Sequence, residues 1–408
     1  MSIDGRARGV AAGGATVVLG VFMAAHFSHH LVTGALTPLL PWLRDELNLD
    51  YSGVGVLVSA YSLTYGILQI PSASLGNHMS RRRLIAYGLM GLGGSAGLMV
   101  LAGDFWQVAA LLVLLGIFGS TYHAPASAFL SQTFDKAHRG RSLGIHTIGG
   151  SGSLLITPAL AVFIASTFHS WRTSFMVLGV APVLAGFLVL TAARRQEEVH
   201  LRAAAATLGE RVAWLTVVRL IGLLVIIAMV ASMLATAVSS FLPLYLVDKH
   251  GVSAEMAGIM VGLVAGGGVI GAPLGGLLSD RVGRRPVIVA SLVLAGPLLY
   301  VITALPFGWG MAVAIAAYGL VLSARMPVME SVIADVVPVA QRGTVLGVYF
   351  FLSQETAAVA TPLVGSMMDD YGADPTFVGL SLVGGVAALL ALLIRGARSP
   401  QRGATRPA

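Results

Sequence analysis

Cysteine is absent from the 408 residues, which excludes disulfides, iron–sulfur clusters and thiolate chemistry together. Charge is scarce: Asp, Glu, Lys and Arg make up 11% of the chain, against about 25% in an ordinary soluble domain. A deficit of that size leaves most of the chain with no water-facing side. Also missing are a Gly-x-x-x-x-Gly-Lys-Ser/Thr loop, the phosphate cradle of an ATP-driven machine, and a His-Glu-x-x-His zinc helix. No nucleophile–base constellation stands out, so the sequence argues against an enzyme and requires no cofactor.

What fills the space is apolar. Hydrophobic residues make up 56% of the chain and glycine contributes 50 residues, a composition that suits helices packed closely in lipid. Apolar runs long enough to cross a bilayer, which takes roughly 17–25 helical residues, fall at 14–43, 52–75, 84–103, 106–133, 142–167 and 173–192. A second set falls at 215–247, 254–278, 286–304, 309–337, 343–367 and 375–394. The first run follows Arg6 and Arg8 and is too long for the core of a cleaved signal peptide, so it reads as a retained first span.

The net charge of +7 has a location. With the N-terminus inside, internal segments hold Arg81, Arg82, Arg83, Lys136, Arg139, Arg141, Arg194, Arg195, Arg202, Arg211, Arg281, Arg284, Arg285 and Arg342, whereas external segments keep Arg44, Arg172 and Lys249. The positive-inside rule then expects both termini in the cytoplasm and a multi-pass protein of the cytoplasmic (inner) membrane. Topology accounts for the basic character, and nucleic acid is not expected as a partner. The polar stretch 193–214 separates an N-terminal bundle, 1–192, from a C-terminal bundle, 215–408.

The two halves are related in sequence. An offset of 203 positions carries Arg139-Gly140 onto Arg342-Gly343, Leu143-Gly144 onto Leu346-Gly347, Arg81-Arg82 onto Arg284-Arg285 and Gly55 onto Gly258. One register held across separate loops is not what chance similarity of apolar runs produces. It indicates parallel six-span repeats facing each other across a central pathway.

The segment Gly275-Gly276-Leu277-Leu278-Ser279-Asp280-Arg281-Val282-Gly283-Arg284-Arg285 resembles the loop signature of the major facilitator superfamily. The resemblance implies an all-α membrane protein of twelve transmembrane helices in two parallel six-helix repeats. It also implies alternating access, with Asp280, Arg281, Gly283, Arg284 and Arg285 latching one state. The first-half copy departs from the pattern, with Asn77 in place of the acid and Ser80 in place of glycine. His26-Phe27, Pro38-Leu39-Leu40-Pro41 and Tyr122-His123-Ala124-Pro125 resemble the fosmidomycin-resistance and drug:proton antiporter branch. Helix 5, with Gly149, Gly150, Gly152 and Pro158, is similar to a loose form of that branch's glycine–proline motif.

In this fold the first and fourth helices of each half line the cavity, and polar groups at membrane depth are functional candidates. The candidate substrate contacts are His26, His30, Tyr61, Tyr65, Tyr122, His123, His146, Met229, Met233, Arg325 and Met326. His123, Glu330 and Glu355 are the proton-coupling candidates. The offset pairs His26 with Met229, His30 with Met233, His123 with Met326 and His146 with Tyr349, so imidazoles on one wall face thioethers on the other. The plainer alternatives stay open: histidines bonding backbone carbonyls, methionines as apolar filler, and Arg325 paired structurally with Glu330 or Glu355.

Proton-coupled efflux of a small organic or anionic compound by a monomer is the leading expectation. Copper transport by His26, His30, Met229 and Met233, pairs spaced for one helix face, is a second. A non-transporting membrane receptor is a third.

Overall fold

A computed structural model describes residues 3–134, 139–194, 214–336 and 342–392, and the described chain is helical throughout apart from short turns. In the first half α1 (Ile3–Thr33) and α2 (Leu36–Leu47) form one broken span, followed by α3 (Tyr51–His78) and α4 (Arg81–Leu98). Then come α5 (Phe105–Gly119) and α6 (His123–Thr133), a second broken span, and α7 (Arg139–Phe168) and α8 (Trp171–Ala192). The second half contains α9 (Trp214–His250), α10 (Ala254–Val282), α11 (Arg284–Ala304), α12 (Trp309–Val336), α13 (Arg342–Tyr371) and α14 (Ala373–Leu392). Most of the segment between the halves, and the basic C-terminal tail, lie outside the described residues.

Among the described residues, 11 helical stretches are long and apolar enough to cross a membrane. The twelfth span, α13, is 30 residues long and carries Gln354, Glu355, Asp369 and Asp370, which dilute its apolar character. Large apolar side chains point outward, Trp309 at 89% exposure with Leu101, Phe163 and Leu382 close behind. Such a surface is stable when lipid is the solvent.

Packing repeats as the sequence does. In the first half α1 packs on α7, α3 on α5 and α4 on α8; in the second, α9 packs on α13, α10 on α12 and α11 on α14. The Arg82 guanidinium donates to the Leu190 carbonyl at the end of α8, and the Arg285 guanidinium donates to the Leu392 carbonyl at the end of α14, 2.7 Å away. Each cation thus meets the free carbonyls and negative dipole end of the last helix in its own half.

The loops before those arginines differ for a local reason. Gly283 holds φ +92°, a conformation that L side chains rarely adopt. Ser80, at the equivalent position, has φ −57° and caps the next helix by accepting from the Arg83 N–H at 3.1 Å. The loss of glycine in the first half therefore accompanies a different turn.

The halves meet along two related lines, α3 against α13 and α7 against α10. Gly55 and Gly258 make both approaches possible. A Cβ on Gly55 would lie 2.7 Å from Pro362 Cα, and one on Gly258 would lie 3.2 Å from the Pro158 carbonyl oxygen. Polar ties cluster at the end that carries Arg44. Arg44 pairs with Asp248, whose other contact is the Tyr51 hydroxyl at 2.5 Å. Asp369 accepts from the N–H groups of Tyr51 and Ser52 at 2.8 and 2.9 Å, and Ser166 donates to Glu255. All of these ties cross between halves, so this end is closed.

Candidate functional site

Two breaks build the first-half wall. The span α1–α2 is interrupted at Gly34 and Ala35, and α5–α6 at Ser120 to Tyr122. Breaks at membrane depth free backbone carbonyls that lipid cannot satisfy. His29, fully buried, adds to the bonding at the second break: its Nε2 lies 3.1 Å from the Gly119 carbonyl oxygen at the α5 terminus, which also accepts from the Tyr122 N–H at 3.3 Å. The Tyr122 hydroxyl donates to the Phe22 carbonyl at 2.8 Å. Of the two readings of these residues, carbonyl bonding describes what His29 and Tyr122 do here.

The other imidazoles gather beside them. His26 Nδ1 lies 3.0 Å from the His146 carbonyl oxygen, and the two rings stack with centroids 4.3 Å apart. Centroid distances are 5.0 Å from His26 to His30, 5.0 Å from His26 to His123 and 5.3 Å from His30 to His123. Gly150 of α7 leaves the room: a Cβ there would sit 2.6 Å from His26 Nε2. Tyr65 closes one side, 6.2 Å from His29 and 6.3 Å from His123, with Tyr61 5.5 Å beyond it. The sequence candidates His26, His30, Tyr61, Tyr65, Tyr122, His123 and His146 are therefore one contiguous wall.

His30 connects this wall to the space between the halves. Its Nδ1 lies 3.2 Å from Thr33 Oγ1, and Thr33 lines a cavity of about 280 Å³. That volume is at the small end of the range for small-molecule sites. The cavity is bordered by Thr37 and Tyr61 from the first half and by Thr236, Ser239 and Ser240 of α9 from the second. These α9 hydroxyls escaped the sequence reasoning. Their i, i+3, i+4 spacing was the available signal.

The second-half wall is different. Arg325 of α12 is 3% exposed; its Nη1 lies 3.7 Å from Met329 Sδ and its Nε has no hydrogen-bond partner. The Tyr349 hydroxyl approaches the same sulfur at 3.8 Å. Met329, not Met326, is thus the thioether that touches Arg325, while Met326 is 46% exposed. Met233 packs against the apolar core along α9, and Met229 is partly buried. The offset of 203 also carries Tyr122 onto Arg325, so the buried guanidinium occupies the place of the carbonyl-bonded tyrosine.

Glu355 of α13 does not pair with Arg325. Both of its carboxylate oxygens are buried without a hydrogen-bond partner, in the room left by Gly66 on α3, where any Cβ would overlap the carboxylate. Ser59 extends this line by donating to the Ala358 carbonyl at 2.5 Å. The side chains of Asp280 and Glu330 lie outside the described residues. Arg281 is exposed and Arg284 partly so; the Arg285 contact described above is within its own half.

Comparison with known proteins places these features in a family context. The model of the Major Facilitator Superfamily matches residues 22–269 and 224–408. The chain is 22% identical over 360 residues to the fosmidomycin resistance protein of Escherichia coli K12, covering 86% of each chain. It is 25% identical over 365 residues to the multidrug resistance protein MdtG of Enterobacter lignolyticus, covering 86% of this chain and 87% of that one. It is 23% identical over 407 residues to the hexuronate transporter of Bacillus subtilis, covering 92% of each. Among solved structures, a bacterial homolog of the human lysosomal transporter Spinster, inward-facing and unoccupied, superposes with a TM-score of 0.79 at 17% identity, over 93% of this chain and 96% of that one. At that identity the likeness shows the fold.

Proposed function

The chain belongs to the major facilitator superfamily and is a multi-pass membrane transporter, not an enzyme; on that premise we propose that it exports a small organic or anionic compound in exchange for protons. The observation that carries this reading is the buried, unpartnered carboxylate of Glu355 at the α3–α13 line. A carboxylate without a partner in low dielectric holds or releases its proton according to what approaches it, which is what a coupling group must do. Arg325, without a carboxylate partner among the described residues, supplies the complementary cation for an anionic group. Two of the similar proteins are named for drug resistance and one for hexuronate, which supports efflux and organic anions as the classes to test.

The same reading takes residues 1–192 and 215–408 as the two moving bundles, joined by a cytoplasmic linker over 193–214 in a monomer of the inner membrane. With both termini in the cytoplasm, the closed end bearing Arg44, Tyr51, Asp248 and Asp369 faces outward, and the cavity belongs to an inward-facing state. Asp280, Arg281, Gly283, Arg284 and Arg285 then lie at the cytoplasmic end as the latch of the opposite state. Glu330 and His123 are the further proton-coupling candidates.

A screen for ligands that raise the melting temperature of the purified protein, followed by counterflow in sealed vesicles, identifies the substrate. Glu355→Gln is expected to abolish uptake driven by a proton gradient while leaving counterflow intact, because exchange needs no net proton movement. Gradient-driven flux that survives simultaneous neutralisation of Glu330, Glu355 and His123 would remove the coupling site proposed here. A ligand that binds but is never moved would favour the receptor reading.

A further inference from the structure

We propose that His26, His30 and His123 form a binding site for a borderline divalent transition-metal ion, of the Zn(II), Co(II), Ni(II) or Cu(II) class, in the first-half wall. Their candidate ligand nitrogens all lie within 4.8 Å of one another. A metal–nitrogen bond of about 2.0–2.1 Å in tetrahedral geometry brings such atoms to about 3.4 Å apart, a difference that imidazole rotation can close without moving the helices. His26 and His30 are spaced i, i+4 on α1, which puts both rings on one face, and His123 enters from the start of α6.

The surroundings suit a metal better than they suit ring packing alone. His26 Nδ1 is held by the His146 carbonyl, which orients its ring and leaves Nε2 buried with no partner. His26 is 7% exposed, so that nitrogen is an unmet polar atom beside the other two rings. His30 Nδ1 is likewise engaged, by Thr33, which frees its Nε2. A carbonyl or hydroxyl on one ring nitrogen with the other directed to the ion is the usual outer support of a metal-bound histidine. His30 bonds Thr33, which lines the cavity between the halves, so water or an anionic donor from that cavity would fill the remaining coordination position. Imidazole as the sole ligand type, in a chain with no cysteine, selects borderline cations over those that require thiolate. His29 is excluded from the site because its Nε2 serves the Gly119 carbonyl. The site shares His26 and His30 with the copper reading and His123 with the proton-coupling reading, but it needs none of Met229, Met233 or Glu355, so metal binding in a Met229/Met233 or Glu355 variant distinguishes it from both.

The test uses the full chain in detergent, freed of any polyhistidine tag and stripped with chelator. Titration with CoCl2 is followed by the visible ligand-field bands, and with ZnCl2 by calorimetry. One ion per chain, with cobalt bands of a nitrogen-ligated, low-coordinate site, is the expected result. His30→Ala and His123→Ala should each weaken binding about a hundredfold or more, beyond the about 10- to 100-fold typical of losing an outer support, with metal-free melting temperatures near the parent value. His169→Asn, which suits the positive φ at that position, should bind as the parent does. Absence of saturable binding to the parent overturns the proposal, and so does binding that persists unchanged in both alanine variants, which would mark an adventitious ion only.

Discussion

Replacing Gly55 with alanine adds one methyl group where the backbones of α3 and α13 approach closely. The new Cβ would lie 2.7 Å from Pro362 Cα and 3.0 Å from both the Pro362 nitrogen and the Thr361 carbonyl oxygen. Carbon atoms in contact prefer about 3.5–4.0 Å, so the helices must separate locally by about 0.8 Å. All three neighbours are backbone atoms, and no rotamer change relieves the overlap. Overpacking of this kind costs about 1–3 kcal/mol. Only the state closed at this end bears the cost, so the equilibrium shifts away from it by about 5- to 150-fold. Gly258→Ala should shift it less, because its nearest neighbour is a Val162 methyl, 2.9 Å away, that can turn aside. A chain without cysteine lends itself to the measurement: nitroxides on Asp45→Cys and Asp370→Cys report the distance between halves at the closed end by pulsed dipolar spectroscopy. Gly55→Ala should move population to longer distances, while Gly94→Ala, whose Cβ meets nothing within 4 Å, should leave the parent distribution. Identical distributions for Gly55→Ala and the parent would refute the claim that this contact holds the closed state.

Two further outcomes follow from capping and backbone geometry. Asp369 caps α3 from the opposite half, so Asp369→Ala should weaken the closed state by about 0.5–2 kcal/mol, the usual worth of a helix N-cap, and the same spin-label pair reads it as a shift of about 2- to 30-fold. Gly283→Ala forces an L side chain into φ +92° and should lower stability by about 1–3 kcal/mol, whereas Ser80→Gly at the equivalent loop loses one cap hydrogen bond and should cost a few tenths; thermal melting of both variants in one detergent tests the contrast.

The architecture was legible because its two signals, apolar length and a constant offset, depend on composition and spacing alone. The Arg81-Arg82 and Arg284-Arg285 match anticipated equivalent loops, and Arg82 and Arg285 do make equivalent bonds to Leu190 and Leu392. The histidine wall was also readable, since i, i+4 spacing on one helix survives folding. What spacing could not supply was the partner of each polar group. Arg325 was open to pairing with Glu355, yet Glu355 lies against Gly66 instead, a contact between residues 289 positions apart in different halves. The cavity hydroxyls of Thr236, Ser239 and Ser240 were overlooked because hydroxyls bonded within their own helix are common in membrane spans.

Helix continuity distinguishes the two walls. The spans that carry His26, His29, His30 and His123 are broken, whereas their second-half equivalents, α9 and α12, run unbroken through Trp214–His250 and Trp309–Val336. A broken span exposes backbone carbonyls to side-chain donors, and His29 adds a second bond to the Gly119 carbonyl, which the Tyr122 N–H also reaches. An unbroken span satisfies its own backbone, and the position matching His29 there is Ser232. The same comparison isolates Arg325. Its equivalent, Tyr122, bonds the Phe22 carbonyl in the interior of α1, whereas the Arg325 guanidinium keeps an unpartnered Nε. A buried cation that the backbone does not require, set where the repeat otherwise places a structural tyrosine, is difficult to explain by folding alone. On the function proposed above, binding of an anionic group would supply that reason, and the preference for substrate charge should then depend on Arg325 more than on any of the histidines.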